Sequence, residues 1–367
     1  MKVLKAYKYR LYPTPSQIEF FEKNFYSVSL VHNLLLQDRI MQYRASKKNP
    51  DLHLKPPTPA KYKKEYPFLK EADSLALANA QVYLERGLKY YYTGKNVGFP
   101  KLKSRKNPVT SYTTNNQGGT IKIIGLNCLK IPKLKTFVKV KAHREIKGKI
   151  KSATISKTPS GKYFVSLLCE EKIHCKEKTN RAVGISLGQT EFAVLSNGQK
   201  IDNDQLTDEI EQRIRREEKK LARKKHLAGT KGLDLLNQKN YQKQKMKVAK
   251  LREKLLNQRH DFLNKVTTEL IDTYDVICVE DAHKEDFCRN YKLNKRVSDV
   301  SWALFVSKLE YKATWHDKQL IKLKKCDEKM AVSLKNGLIG DVDLELAKED
   351  SETDASIQLL LQGLKNK

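Results

Sequence analysis

Apolar and basic residues alternate through Lys5-Ala-Tyr-Lys-Tyr-Arg-Leu-Tyr-Pro13, the period-two pattern of a half-buried strand with one solvated, cationic face. Past Pro13 the period lengthens. Thr14 or Ser16 is placed to cap a helix that starts near Pro15, with Ile18, Phe21, Phe25, Leu30, Leu34 and Leu35 spaced as a buried stripe. A polar stretch rich in Pro and Lys, residues 47–66, interrupts the pattern, and helical periodicity returns over residues 74–92. Residues 111–168 then carry short alternating runs at 120–124, 137–141, 151–156 and 162–168, the last following a Ser160-Gly161 turn. Such runs predict a small β-barrel, which the N-terminal strand joins while the helical segment is inserted between. The expected units are a barrel of residues 1–14 plus 106–172 and a helical lobe of residues 15–105, followed by a charged linker at 171–179.

The second half, residues 180–367, has a different order. An apolar strand pair around Val183 and Ala193 leads into a highly charged helical insertion near 207–256, then a long helix over 260–274 and the buried-strand signal Asp275-Val-Ile-Cys-Val-Glu280. Strand, strand, helix, strand is α/β order, in which ligand chemistry gathers at the C-terminal ends of strands. The insertion reads equally as a solvated low-complexity hairpin and as a polar arm that touches nucleic acid.

Charge narrows the partners. With 72 Lys and Arg against 42 Asp and Glu among 367 residues, the formal net charge is +30, which favours a polyanion. No run of about 18 apolar residues and no signal peptide stands in the sequence, so nucleic acid is favoured over a membrane surface and a cytoplasmic location is expected. The six cysteines form no C-x-x-C pair, which speaks against a disulfide framework and a zinc ribbon and for reduced structural thiols.

Several segments carry candidate chemistry. Glu280 ends its strand where a metal-binding carboxylate or an ordinary strand-end acid would stand. Asp350, Glu352 and Asp354 precede a short helix and read either as acids favoured by the helix dipole or as a further carboxylate position. The basic run Phe99-Pro-Lys-Leu-Lys-Ser-Arg-Lys106 includes Lys101, Lys103, Arg105 and Lys106, and together with Lys5, Lys8 and Arg10 it is suited to phosphates or simply to water. Its neighbour Ser111-Tyr-Thr-Thr-Asn-Asn116 supplies the aromatic, hydroxyl and amide groups that read nucleic-acid backbones and base edges. Gln258 and Arg259, within Asn257-Gln-Arg-His-Asp-Phe262, are expected on the first turn of a helix, suited to phosphate or to solvent.

Residues 181–198 look like the first strands of an RNase H-type nuclease core, and Ser186 stands where that chemistry needs an aspartate. Taken with Gly98-Phe-Pro-Lys-Leu-Lys-Ser104, Ser111-Tyr-Thr-Thr114, Gly184-Ile-Ser-Leu-Gly188, Val279-Glu-Asp281 and the segment from Trp302 to Trp315, the chain resembles the TnpB family of RNA-guided nucleases nearly end to end. The resemblance implies a multidomain α/β fold: a wedge β-barrel with an inserted helical recognition lobe, then a RuvC-type RNase H domain. By family motif Ser186 takes the first catalytic Asp and Glu280 the catalytic Glu, while Asp350 or Glu352 takes the third acid and Asp354 replaces an Asn. The paired cysteines of the family are missing after Cys288, where Cys326 stands alone, so no zinc is expected.

With Ser186 unable to serve as an anionic metal ligand, the resemblance points to the nuclease-dead repressors of that family. The expected function is that of a non-enzyme with a degenerate site and no catalytic metal, which needs a guide RNA and binds double-stranded DNA at a promoter to block transcription. Asn79, Tyr112, Thr113, Thr114 and Asn115 are the expected readers of a flanking DNA motif. The rival readings are an RNA-guided RuvC-type endonuclease with residual activity and a guide-independent basic DNA-binding protein.

Overall fold

The computed structural model describes residues 1–49, 55–94, 97–104, 108–125, 127–187, 191–202, 205–280, 299–323 and 351–365. They fall into two units, Lys2–Lys172 and Met1 with Ile173–Lys367.

The first unit is built on one antiparallel sheet. Its strands are β1 (Lys2–Tyr12), β2 (Ser111–Asn115), β3 (Lys122–Ile124), β4 (Cys128–Lys130), β5 (Val138–Lys141), β6 (Lys149–Lys157) and β7 (Tyr163–Lys172). Their order is β2-β6-β7-β1-β5-β4-β3, so β1 pairs with both β7 and β5 and ties the start of the chain to its distant segments. The sheet curls as a half-barrel around Tyr7, Tyr9, Leu11, Leu129, Val138, Ile155 and Val165. The expected small barrel appears as this curled sheet, whose outer strands β2 and β3 are not paired with each other among the described residues.

Among the described residues three α-helices lie between β1 and β2: α1 (Pro15–Lys48), α2 (Pro59–Glu65) and α3 (Ser74–Tyr92). Helix α1 starts where the sequence indicates. The Thr14 hydroxyl accepts from the Gln17 amide at 3.5 Å, and Gln17 Oε1 accepts from the Thr14 amide at 3.0 Å, a capping box followed by Pro15 in the first turn. Gln17 Nε2 also donates to the Phe137 carbonyl at 2.9 Å, which fixes the start of the helix on the sheet. Val31, Leu35 and Leu36 of α1 pack with Leu77, Leu84 and Leu88 of α3. Helix α2 lies inside the stretch expected to be irregular, held by its buried Tyr62, whose hydroxyl donates to Asp38 Oδ2 at 2.7 Å.

The second unit contains β8 (Ala182–Leu187), β9 (Ala193–Leu195), β10 (Lys200–Ile201), α4 (Gln205–Thr230), α5 (Lys239–Thr273), β11 (Val276–Glu280), α6 (Asp299–His316), β12 (Gln319–Leu323) and α7 (Ser351–Lys365). The sheet order is β10-β9-β8-β11-β12, with β8, β11 and β12 parallel and β9 antiparallel to its neighbours. Val183, Ile185, Ile277 and Val279 face Leu263 and Leu270 of α5 and Trp302, Phe305 and Leu309 of α6. Ala182, Val276 and Cys278 face Leu359, Leu360 and Leu364 of α7 on the other side. Both faces of the central strands are therefore covered, which is why they read as continuous apolar runs. Among the described residues no helix is long and apolar enough to cross a membrane.

An ion pair locks the entry to β11. Asp275 pairs with Lys318, and its Oδ2 accepts from the amides of Thr179 at 2.8 Å and Asn180 at 2.7 Å. Burial pushes the Asp275 carboxyl up, but Lys318 and the two amides outweigh it and hold it below its ordinary range. Removing the carboxylate strands a buried ammonium, so Asp275→Asn is expected to lower stability at pH 7 by about 3 kcal/mol. Because the folded-state pKa is depressed, that contribution is present above the ordinary carboxylate range and lost as pH falls through and below it. Thermal denaturation of both proteins should thus show a gap at neutral pH that closes on acidification.

Candidate active site and nucleic-acid groove

Two expected site residues meet at the ends of β8 and β11. Val279 is the register partner of Ile185 in the parallel pair, which puts Glu280 and Ser186 one residue further on, at the same height. Alternation then turns both toward the face covered by α7, because Ile185 and Val279 belong to the opposite core. Ser186 is buried and Glu280 half-buried.

Helix α7 crosses that face at very short range. A Cβ on Gly184 would lie 1.8 Å from the Ser356 carbonyl oxygen, and one on Gly363 would lie 2.2 Å from Cys278 Sγ. The backbone positions of Glu352 and Asp354 fall in the turn of α7 just before Ser356. These acids therefore begin the helix instead of preceding it, while Asp350 lies outside the described residues. Gly184 and Gly363 are close-packing positions to which the sequence patterns above assign no role. The signal that marks them is a glycine inside an apolar strand and another inside an apolar helix, both signs of close approach.

The donor set follows from this geometry. Among the described residues no group of three His, Cys, Asp or Glu could hold a metal ion. One carboxylate and one neutral hydroxyl do not fit a two-metal clamp, but they fit a single Mg2+, which keeps several waters and takes one or two carboxylates plus substrate phosphates. The segment that should carry a zinc ribbon, with Cys326, lies outside the described residues, as does Cys288.

In the first unit, Asn79 and β2 border a groove of about 440 Å3 that His32, Tyr83 and Lys103 also line. Asn79 Nδ2 donates to the Thr113 carbonyl at 2.8 Å and to Asn115 Oδ1 at 3.4 Å. The expected motif readers divide here by strand alternation. Thr113 and Asn115 point away from the core, whereas Tyr112 and Thr114 point into it. The Tyr112 ring packs 5.8 Å from Phe25, and its hydroxyl is buried without a partner among the described residues. Tyr112 and Thr114 are thus corrected from base readers to core residues. Tyr112→Phe is expected to leave DNA discrimination unchanged and stability equal or higher, since an unpaired buried hydroxyl is removed; binding to a flanking-motif library and a melting curve check it.

His32 and Asn33, which no sequence motif marks, secure the edge of this groove. Asn33 exchanges hydrogen bonds with the Lys103 backbone at 3.0 and 2.7 Å, and His32 Nε2 meets the Lys101 carbonyl at 3.3 Å. Burial lowers the pKa of His32, with the nearby Lys103 charge adding to it against the bond to Lys101. Lys101 is exposed and Lys103 half-buried, and Arg105 and Lys106 lie outside the described residues.

Two further expectations are corrected. Lys5 does not join Lys8 on the cationic face: it shares the inward face of Tyr7 and Tyr9 and pairs with Glu171 at 3.7 Å. Lys8 and Arg10 are on the outer face, 4.8 and 5.7 Å from the Phe164 ring centroid. Gln258 and Arg259 are not in a first turn, because α5 begins at Lys239; their amides are spent inside the helix, and Arg259 pairs with Glu211.

The IS605 OrfB family model described as "Probable transposase" matches residues 166–290, and the accompanying IS605 OrfB model described as "Helix-turn-helix domain" matches residues 1–48. Those first residues form a strand and a single long helix. A protein of Streptomyces pristinaespiralis named "Putative RNA-guided DNA endonuclease" is 29% identical over 324 residues, 87% of this chain and 77% of that one. The "Putative RNA-guided DNA endonuclease InsQ" of Escherichia coli (strain K12) is 26% identical over 275 residues, 70% of this chain and 64% of its own length. Among solved structures, the Cas12f1–sgRNA–target DNA complex matches with TM-score 0.53 at 12% identity, over 94% of this chain and 83% of that one, a likeness of fold.

These matches support the TnpB family, that of the IS605 OrfB proteins. The expectation of a non-enzyme is corrected by them, since both relatives carry the name of endonucleases and point to an enzyme.

Proposed function

We propose that this protein is an RNA-guided, RuvC-type DNA endonuclease whose metal site is weakened at Ser186, so that its occupancy of DNA outlasts its cutting. The observation that supports this most is Ser186 and Glu280 at one height on neighbouring parallel strands, under the helix that carries Glu352 and Asp354. Guide pairing supplies sequence specificity, and the protein reads a short flanking duplex through Asn79, Thr113 and Asn115. When the target is a promoter, the bound complex represses transcription by occlusion.

Glu280 would hold the cation, and the Ser186 hydroxyl would orient one of its waters. The cation would supply charge stabilisation to the phosphoryl oxygens during displacement. Ser186 contributes no negative charge, so the cation is held weakly and cutting is slow. The test is to sequence the RNA that copurifies with the protein, then incubate the complex with matched duplex DNA in Mg2+ or Mn2+. One defined RNA scaffold with guide-directed, metal-dependent nicking is expected; absence of bound RNA would refute the reading.

Flanking discrimination has its own expected result. Thr113→Ala and Asn115→Ala should each weaken motif preference by about 1–3 kcal/mol, the worth of a good hydrogen-bonded pairing to a base edge. Lys101→Ala and Lys103→Ala should weaken binding to every sequence and flatten its salt dependence. A randomised flanking library at two salt concentrations separates the two behaviours.

A further inference from the structure

The charged insertion is a pair of antiparallel helices, shown by the progression of contacts from Arg259–Glu211 through Arg252–Glu218 to Lys224 with the Asn240 carbonyl. Its acids are largely consumed within the pair. Glu211 takes Arg215 and Arg259, and Glu218 takes Arg252. Glu217 is buried between the helices, where its carboxylate receives Gln244, Lys220 and Lys247. Those three partners, Gln244 foremost, lower its pKa to about 2. With these acids paired, bases predominate on the outward face, where Glu209 and the paired Glu217 stand among five cations of the α4 groove.

That face has two lanes. On α4, Arg213, Arg216, Lys220 and Arg223 follow one another at helical spacing and line a groove. On α5, Lys243, Lys247 and Lys250 line a second groove with the same spacing. The lanes are joined at Glu217, whose Oε1 lies 3.1 Å from both Lys220 Nζ and Lys247 Nζ. Each lane is straight, rising about 1.5 Å per residue, and at the join Lys220 and Lys247 close on the same carboxylate oxygen.

We infer that this two-lane face seats an A-form RNA duplex, a base-paired stem of the guide RNA. The inference rests on the RNA-guided reading above. The groove-lining side chains are dominated by cations, and no aromatic ring lines either groove, so the face is suited to backbone and shape. Duplex RNA is recognised in that way, through phosphates and 2′-hydroxyls across a wide, shallow minor groove. Single strands are gripped by stacking platforms that the lanes lack.

The experiment uses the full chain, stripped of bound RNA, with three probes: a perfectly paired RNA hairpin of about two turns, a DNA duplex of equal length and an unstructured oligouridylate. The variant is Arg213→Gln, Arg216→Gln, Lys247→Gln and Lys250→Gln combined, with helicity checked by circular dichroism. Wild type is expected to prefer the RNA hairpin. The variant should lose on the order of tenfold in affinity for it with a shallower salt slope. Replacing the two arginines by lysine should retain binding. Equal wild-type affinity for the DNA duplex or the single strand, or an unchanged hairpin affinity in the variant, overturns the inference. If native protein instead carries no RNA, it is the RNA-guided reading that fails.

Discussion

Glu280→Gln is expected to reduce guide-directed DNA cutting to background while leaving guide and target binding intact. Glu280 is the one carboxylate that the described residues place at the end of the central strands beside Ser186, so in the proposed reading its charge would anchor the cation there. The amide keeps the shape and removes the charge. Ser186→Asp should act in the opposite direction, raising cutting on the order of tenfold or more, since a second anionic ligand strengthens a site that binds through carboxylates. The variant also has a signature apart from activity. Position 186 is buried beside Glu280, so a second carboxylate there lowers stability without metal, and Mg2+ should restore it in proportion to its affinity. Thermal denaturation with and without Mg2+ measures this; a Ser186→Asp protein indifferent to Mg2+ in both melting and cutting would show that the strand ends are not a cation site.

The parts of the fold legible in the sequence are those where local chemistry and tertiary packing agree. The Thr14 cap, the β6–β7 hairpin with Gly161 in the left-handed region, and the apolar strands β8 and β11 are examples. Alternation alone does not give the phase of a strand, and Lys5 shows why. It lies in the inward row with Tyr7 and Tyr9 because Glu171 answers its charge at the edge of the half-barrel. Tyr112 and Thr114 mislead for a related reason. A polar, aromatic run looks like a recognition loop, whereas pairing of β2 with β6 makes it a strand and sends alternate side chains into the core. The start of α5 is hidden because its first turns are polar and basic, the buried apolar positions beginning only at Val248; its pairing with α4 rests in part on ion pairs that only the three-dimensional register reveals.

Gly184→Ala is expected to undock α7. The added Cβ would meet the Ser356 carbonyl oxygen at 1.8 Å and the Leu360 Cβ at 3.0 Å. The nearer obstacle is backbone, so no rotamer change relieves it and the helix must shift as a body. Overpacking of this kind costs about 1–3 kcal/mol, and displacement of α7 additionally exposes Leu359, Leu360 and Leu364, each contributing about 1.5–3 kcal/mol when buried. A net loss of about 3 kcal/mol or more is expected. Gly229→Ala in α4 is the matched control, because its Cβ meets nothing within 4 Å and alanine favours a helix. Leu360→Ala should not rescue Gly184→Ala, since it removes side-chain atoms beyond Cβ and leaves the carbonyl in place. Cys278 reports the outcome directly: α7 covers its thiol, and burial pushes its pKa up to about 12. Alkylation read cysteine by cysteine by mass spectrometry should therefore be slow at Cys278 in the native protein and in Gly229→Ala, with exposed Cys175 labelled quickly in both. In Gly184→Ala the Cys278 rate should rise sharply while the Cys175 rate stays constant. Unchanged protection of Cys278 would show that α7 tolerates the methyl group, and that its close crossing of β8 does not depend on a glycine at position 184.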